Sequence, residues 1–360
     1  MKKTVVAIAV AFALASVCRA AVPISPKNNA ALKPLKKLKD RIVYESFRDG
    51  SWELMIINAD GSGQKNLTNT PGIDENYPQC SPDGKLIAFE CCDNTSGAAK
   101  RIEVMNADGT GRRLIVANGK QMCWNADGTK LAYLVPDPMR RTRDLAVFDL
   151  KSGLTTSWTE GKTTFTLVEM DGREHGLPIA EFTGMANLTW SRDGRWIACS
   201  VGGMGYSQSM IAIEVGGDRV VDFLHQSREV GKGYLGCRPT FSDDGTQVTW
   251  TVCDVSKLFW VDSAPVDFSG KYPKVGEHTD WIRTEVPEEF YHADFSPDAR
   301  FIAFSHGVRG NRMKRARYCQ GEKAPGWDIC VLDTLNPDQF TQLTKDGLSN
   351  KEPDWLRAAE

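Results

Sequence analysis

From Arg41 onward the chain alternates short apolar runs with clusters of turn-forming residues. Lys85-Leu86-Ile87-Ala88-Phe89 and Arg300-Phe301-Ile302-Ala303-Phe304 show the pattern: four to five residues rich in strand formers, each entered from a tight turn. Strand runs of this kind, recurring between turns, make the expected class all-β.

The turns recur in a fixed order: an aromatic residue or Cys, a polar residue, two turn-forming residues, then Gly or, in the last copy, Ala. The copies are Cys80-Ser81-Pro82-Asp83-Gly84, Trp124-Asn125-Ala126-Asp127-Gly128, Trp190-Ser191-Arg192-Asp193-Gly194, Phe241-Ser242-Asp243-Asp244-Gly245 and Phe295-Ser296-Pro297-Asp298-Ala299, spaced 44 to 66 residues apart. Asp-Gly supplies hairpin chemistry, and a second hairpin signal comes after it, clearest at Asn58-Ala59-Asp60-Gly61 and Asn106-Ala107-Asp108-Gly109. Each unit then holds four strands, the content of a propeller blade. The first unit lacks its opening strand, and Glu352-Pro353-Asp354-Trp355 supplies an opening strand with no further strands behind it. The C-terminal strand is therefore expected to complete the N-terminal blade, making six.

These repeats resemble those of the TolB-like propellers over Arg41 to Trp355, with Asn76 to Leu114 the best match. The resemblance implies a six-bladed β-propeller over 41–360. TolB proteins also carry a sizeable α/β domain ahead of the propeller, whereas here residues 21–40, with Pro23, Pro26, Pro34 and five lysines, read as an extended lead-in.

Ahead of that, Lys2 and Lys3, an apolar stretch from Val5 to Val17 and Cys18-Arg19-Ala20 read as a cleavable signal over 1–20, which makes the protein periplasmic or secreted. A signal anchor or acylation at Cys18 are the alternatives. Ten cysteines, nine after cleavage, cannot all pair within one chain, and no C-x-x-C is present. A net charge of −2 gives no global field toward nucleic acid or membranes, and a monomer is expected.

In a propeller the loops that differ between blades share one face, and function concentrates there. Four residues before the polar residue of each turn, at the channel mouth, stand Tyr77, Gln121, Asn187, Arg238, His292 and Glu352. They read either as a ligand-lining ring or as a solvated ring at a water-filled entrance. The longest loops on this face hold Arg140, Arg141 and Arg143, and Arg309, Arg312, Lys314, Arg315 and Arg317. Guanidinium forks suit carboxylate, sulfate or phosphate, so an anionic glycan or an acidic protein partner is expected there, with solvated loops as the plain alternative.

The rival expectation is an enzyme. The resemblance extends to oligogalacturonate lyases, whose propellers hold a divalent metal through several histidines, which would cast His292, with His306 near it, as catalytic or metal-binding. Five histidines, only one at the ring position, make a thin ligand set. A propeller peptidase needs a separate α/β domain with a G-x-S-x-G elbow, and the sequence has none. Glu288 and Glu289 are a conceivable acid and base. The glycines around Gly202 and Gly205 lack the strand-to-helix setting of a phosphate loop, and the Asn-x-Asp-Gly turns lack the acidic positions of a calcium loop. No catalytic set, metal or cofactor is assigned from the sequence.

Overall fold

The computed structural model describes residues 32–359, apart from 95–98, 137–143, 170, 180–181, 204–205, 225–233, 255–257, 286–287, 309–322, 324 and 338–339. Six small antiparallel sheets make up the fold. Their innermost strands, in chain order from blade 2 to blade 6, are Ile73–Cys80, Lys120–Trp124, Phe182–Trp190, Tyr234–Phe241 and Glu288–Phe295, and blade 1 uses the C-terminal strand Ser349–Leu356. Each innermost strand touches that of the next blade, and the sixth touches the first, so the six enclose one axis.

Blade 1 joins the two ends of the chain. Ser349–Leu356 pairs with Arg41–Arg48, Ile42 opposite Trp355, and the ring has no open sheet edge at the seam.

The turn motif has a direct physical cause. In blade 2 the Ser81 hydroxyl donates to Asp83 Oδ1 at 2.7 Å and accepts the Leu86 N–H at 2.9 Å, while Asp83 Oδ1 also accepts the Lys85 N–H at 3.1 Å. The same three bonds recur at Ser191 and Asp193, at Ser242 and Asp244, and at Ser296 and Asp298. Gly84 sits at φ 70°, in the left-handed region that glycine enters without a Cβ penalty; in blade 6 Ala299 holds that place at φ 56°. Because the turn carboxylates are spent on these donors, they are hairpin devices.

Packing lies between blades. Val43, Leu54 and Ile56 of blade 1 meet Ile87, Phe89 and Val104 of blade 2, and Trp196 and Trp250 are buried where blades 4 and 5 meet. Each such aliphatic or aromatic side chain contributes about 1.5–3 kcal/mol on burial.

Two blades depart from the four-strand expectation. Blade 4 is six-stranded because the hairpin Thr164–Val168 and Glu174–Pro178 is added at its outer edge, in parallel pairing with Arg219–Leu224. Phe165, Leu167 and Leu177 of that hairpin are buried, and Phe165 stacks on Trp158 at 4.1 Å. Blade 5 gains Thr279–Glu285 alongside Leu258–Asp267. In the lead-in, Leu32–Leu35 forms one helical turn, and Leu35 is buried with Ile42, Tyr44 and Met55.

Candidate functional site

The six ring residues share a backbone feature that the sequence does not announce. Tyr77, Gln121, Asn187, Arg238, His292 and Glu352 all have left-handed φ, between 48° and 59°. Each sits in a β-bulge where the inner strand slips register against its neighbour, as between Asn76 and Gln79 or between Cys237 and Thr240.

The bulges free backbone N–H groups, and the preceding blade satisfies them. Tyr77 N–H donates to Glu45 at 3.1 Å, Gln121 N–H to Glu90 at 2.6 Å, Arg238 N–H to Ser200 at 3.1 Å and Glu352 N–H to Ser305 at 3.0 Å. Glu45, Glu90, Ser200 and Ser305 occupy the same place in the second strands of their blades, each after an apolar triplet such as Ile87-Ala88-Phe89.

The bulge aims these side chains at the axis. Arg238 belongs to blade 5 and Tyr77 to blade 2, which stand opposite in a six-membered ring, yet the guanidinium lies 5.1 Å from the Tyr77 ring centroid. It also lies 4.6 Å from the ring of Tyr291. Arg238 Nη1 donates to Glu352 Oε2 and lies 3.0 Å from His292 Nδ1, which is itself 2.7 Å from the same Glu352 oxygen. His292 stacks on Tyr77 at 6.1 Å. Four blades thus meet in one polar plug.

Burial is nearly complete: Arg238 is 3% exposed and Glu352 0%. Tyr77, Asn187 and His292 are buried as well, and Gln121 is half-buried. The solvated entrance entertained from the sequence is therefore not what these residues form. Arg238 holds the Glu352 carboxyl below its ordinary range despite burial, so the pair is ionised. Burial pushes His292 down, which keeps its imidazole neutral.

Two residues further along each strand lies a second level. Asp294 accepts the Trp355 N–H at 2.9 Å, Asp354 accepts the Cys80 N–H at 2.8 Å and Thr189 accepts the Phe241 N–H at 3.2 Å. Each clasps its blade to the next. Burial, reinforced by the neighbouring carboxylate, raises Asp294 well above the usual range, and burial raises Asp354 to about 7. The repeat itself holds a signal for this level, since all three stand just before the aromatic or Cys of the turn or its C-terminal copy, a position that the reading of the ring passes over.

His306 does not join His292. It packs on Phe290 and Phe340, with ring centroids at 5.0 and 5.2 Å, and burial lowers it to about 4. Glu288 and Glu289 do not form an acid–base pair, because successive strand residues point to opposite faces: Glu289 is fully buried and Glu288 partly exposed, 3.8 Å from His306. Among the described residues no group of three or more His, Cys, Asp or Glu side chains is placed to hold a metal ion. Arg140, Arg141, Arg143, Arg309, Arg312, Lys314, Arg315 and Arg317 lie outside the described residues.

No protein-family model matches the chain. A dipeptidyl-peptidase 5 of Porphyromonas gingivalis is 29% identical over 337 residues, an alignment that takes in 81% of this chain and 43% of that protein. The chain thus spans less than half the length of that relative. Among solved structures, TolB of Acinetobacter baumannii superposes with a TM-score of 0.63 at 15% identity, over 89% of this chain and 67% of that one. The hydrazine synthase of Kuenenia stuttgartiensis gives 0.59 at 12% identity, over 89% and 47%. The β-propeller domain of the trilobed protease of Pyrococcus furiosus gives 0.50 at 16%, over 86% and 96%. By fold, the chain is a six-bladed propeller of the TolB-like kind.

Proposed function

We propose that this protein is an exported binding propeller whose variable-loop face receives an acidic polypeptide partner, with the axial ring at the channel mouth as its centre and the arginine loops as its charged margin. One observation carries the reading. Six non-glycine residues hold left-handed φ at a single level of the channel. Glycine would take that conformation at a cost lower by about 1 kcal/mol per site. A ring that keeps Tyr, Gln, Asn, Arg, His and Glu there keeps them for their side chains, and backbone strain of this kind gathers at functional sites.

The likeness to a dipeptidyl-peptidase favours a polypeptide over a glycan as the partner. The basic residues of the two longest loops supply the charge complementarity, and the leader-like residues 1–20 support export. An acidic glycan is the other ligand that this charge pattern would suit.

A binding screen of the full-length chain tests the reading. Immobilised protein is offered acidic peptides and acidic and neutral glycans at low and moderate salt, with product release monitored in the same wells. Salt-sensitive capture of acidic peptides, abolished by joint replacement of Arg312, Lys314 and Arg315 at unchanged thermal stability, is the expected result. Capture of acidic glycans alone would change the ligand class, shortened or unsaturated sugars would make the protein a lyase, and unchanged affinity in the triple variant would remove the basic loop.

A further inference from the structure

The net charge of −2 conceals a local exception. Residues 21–40 hold five lysines, no arginine and a single acid, Asp40. Lys33, Lys36, Lys37 and Lys39 are exposed, and among the described residues none of the four has a side-chain hydrogen bond or ion pair.

The backbone that carries them is fixed to the propeller. Leu35 is 1% exposed, and Leu38 packs partly buried against the same core between blades 6 and 1. Lys37 N–H donates to Pro34 O at 3.1 Å and Leu38 N–H to Leu35 O at 3.0 Å, which closes the turn. Asp40 is tied at two points: its carbonyl accepts the Ala59 N–H at 3.3 Å and its Oδ1 the Ala358 N–H at 2.8 Å. The two leucines thus turn an apolar side to the blades, and the four lysines form a basic ridge toward solvent.

Ala59 lies in the Asn58-Ala59-Asp60-Gly61 turn, and Ala358 follows the innermost strand of blade 1. The ridge therefore stands on the hairpin-turn face, opposite the channel mouth. Asp60 of that turn is already engaged, its Oδ1 accepting the Ser62 N–H at 3.0 Å and the Ser62 hydroxyl at 2.6 Å.

The residue type points to the occupant. Lysine is a mobile point charge, suited to a plane of headgroups, whereas the arginine fork suits one defined carboxylate or phosphate. The ridge is all lysine, while seven of the eight basic residues named in the loops of the other face are arginine. Chain order agrees. About 15 residues separate the apolar stretch Val5–Val17 from Leu32, and they span at most about 50 Å, so a leader lying in a bilayer during export delivers the ridge to its surface.

We propose that the lysine ridge docks on a membrane carrying anionic lipid headgroups, with the hairpin-turn face toward the bilayer and the channel mouth away from it. This goes beyond the partner-binding reading and fails separately from it, because the two use opposite faces.

The test expresses the full-length chain, recovers the exported protein and sediments it with vesicles of phosphatidylcholine alone or with about a third phosphatidylglycerol. Binding is expected to the mixed vesicles, weakening with salt and falling about fivefold for each lysine replaced, up to the joint change Lys33→Gln, Lys36→Gln, Lys37→Gln and Lys39→Gln. The four side chains are exposed and unpaired, so the joint variant should keep the parent's thermal midpoint. Lysine acetylation on the vesicles reads the orientation. The four ridge lysines should be shielded, while Lys345, exposed in the loop that leads into Ser349–Leu356 on the other face, stays reactive. Equal binding of leader-free protein to both vesicles, undiminished binding by the joint variant, or shielding of Lys345 instead would each overturn the proposal. Shielding of the ridge by soluble acidic peptides but not by vesicles would also overturn it and give this face to a protein partner. Should the leader stay attached and hold the chain on both vesicles, shielding of the ridge on the mixed vesicles alone carries the same comparison.

Discussion

Arg238 and Glu352, 114 positions apart in sequence and two blades apart in the ring, form an ion pair that solvent scarcely reaches. Taking two charges out of water is costly, and their attraction offsets that cost only while both remain.

Glu352→Ala is therefore expected to destabilise the fold by about 3–5 kcal/mol, because it leaves a buried guanidinium uncompensated. Glu352→Gln, which still offers an acceptor, should lose less. Urea denaturation monitored by tryptophan fluorescence measures both. A loss in Glu352→Ala no larger than that of an exposed surface substitution would mean that water reaches Arg238 in solution.

Ala299→Gly should raise stability by about 0.5–1 kcal/mol, since Ala299 alone among the turn residues of its kind carries a Cβ at left-handed φ. The gain is net of the extra freedom that glycine brings to the unfolded chain. Thermal denaturation is sensitive enough to read it, and a destabilised variant would show that the methyl group's contacts outweigh the backbone strain.

Asp354 and Asp294 should make stability fall as pH rises from about 4 through about 7, while His306, held down to about 4 by burial, should offset part of that fall up to about 6.5. The native state raises Asp354 to about 7 and Asp294 well above the usual carboxylate range, so it holds protons that the unfolded chain releases near pH 4. The loss attributable to Asp354 is on the order of 4 kcal/mol by the top of that window. Below about pH 4 the trend reverses, because the turn carboxylates Asp83, Asp127 and Asp244 are held low by their hydroxyl and N–H donors. Chemical denaturation at half-unit pH steps would show this, and Asp354→Asn should flatten the neutral limb. A limb of equal slope in the variant would place its origin elsewhere.

Gly307→Ala should cost about 1–3 kcal/mol by overpacking, since a Cβ there would run into the buried indole of Trp327. Calorimetry on the purified variant checks this, and a neutral result would mean that the indole can shift aside.

The turn motif could be read from the sequence because its bonds are local: Ser81, Asp83, Lys85 and Leu86 lie within six residues, and their identities state the geometry. Counting back from it located the ring, since the repeat keeps register through each inner strand. The left-handed bulges were not legible, because residues such as Tyr77 and His292 give no sign of positive φ where glycine would. Nor was the meeting of Arg238 with Tyr77, which exists only once six sheets have closed. The extra hairpin of blade 4 did leave a signal, Asp171-Gly172 between two alternating runs, with Gly172 N–H bonded to Glu169. It lacks the aromatic or Cys followed by Ser or Asn that marks the other turns and so lies outside the pattern.

The seam in blade 1 also sets an order of events. Ser46 and Asn350, hydrogen-bonded across it, are separated by 304 positions, so the first-made strands wait with an unpaired edge until Ser349–Leu356 has been synthesised. Contacts of such long range slow folding and leave strand edges open to wrong partners in the interval. A chain that crosses a membrane before folding would meet that hazard only after its last strand is in hand, so synthesis in one compartment and folding in another would suit this topology.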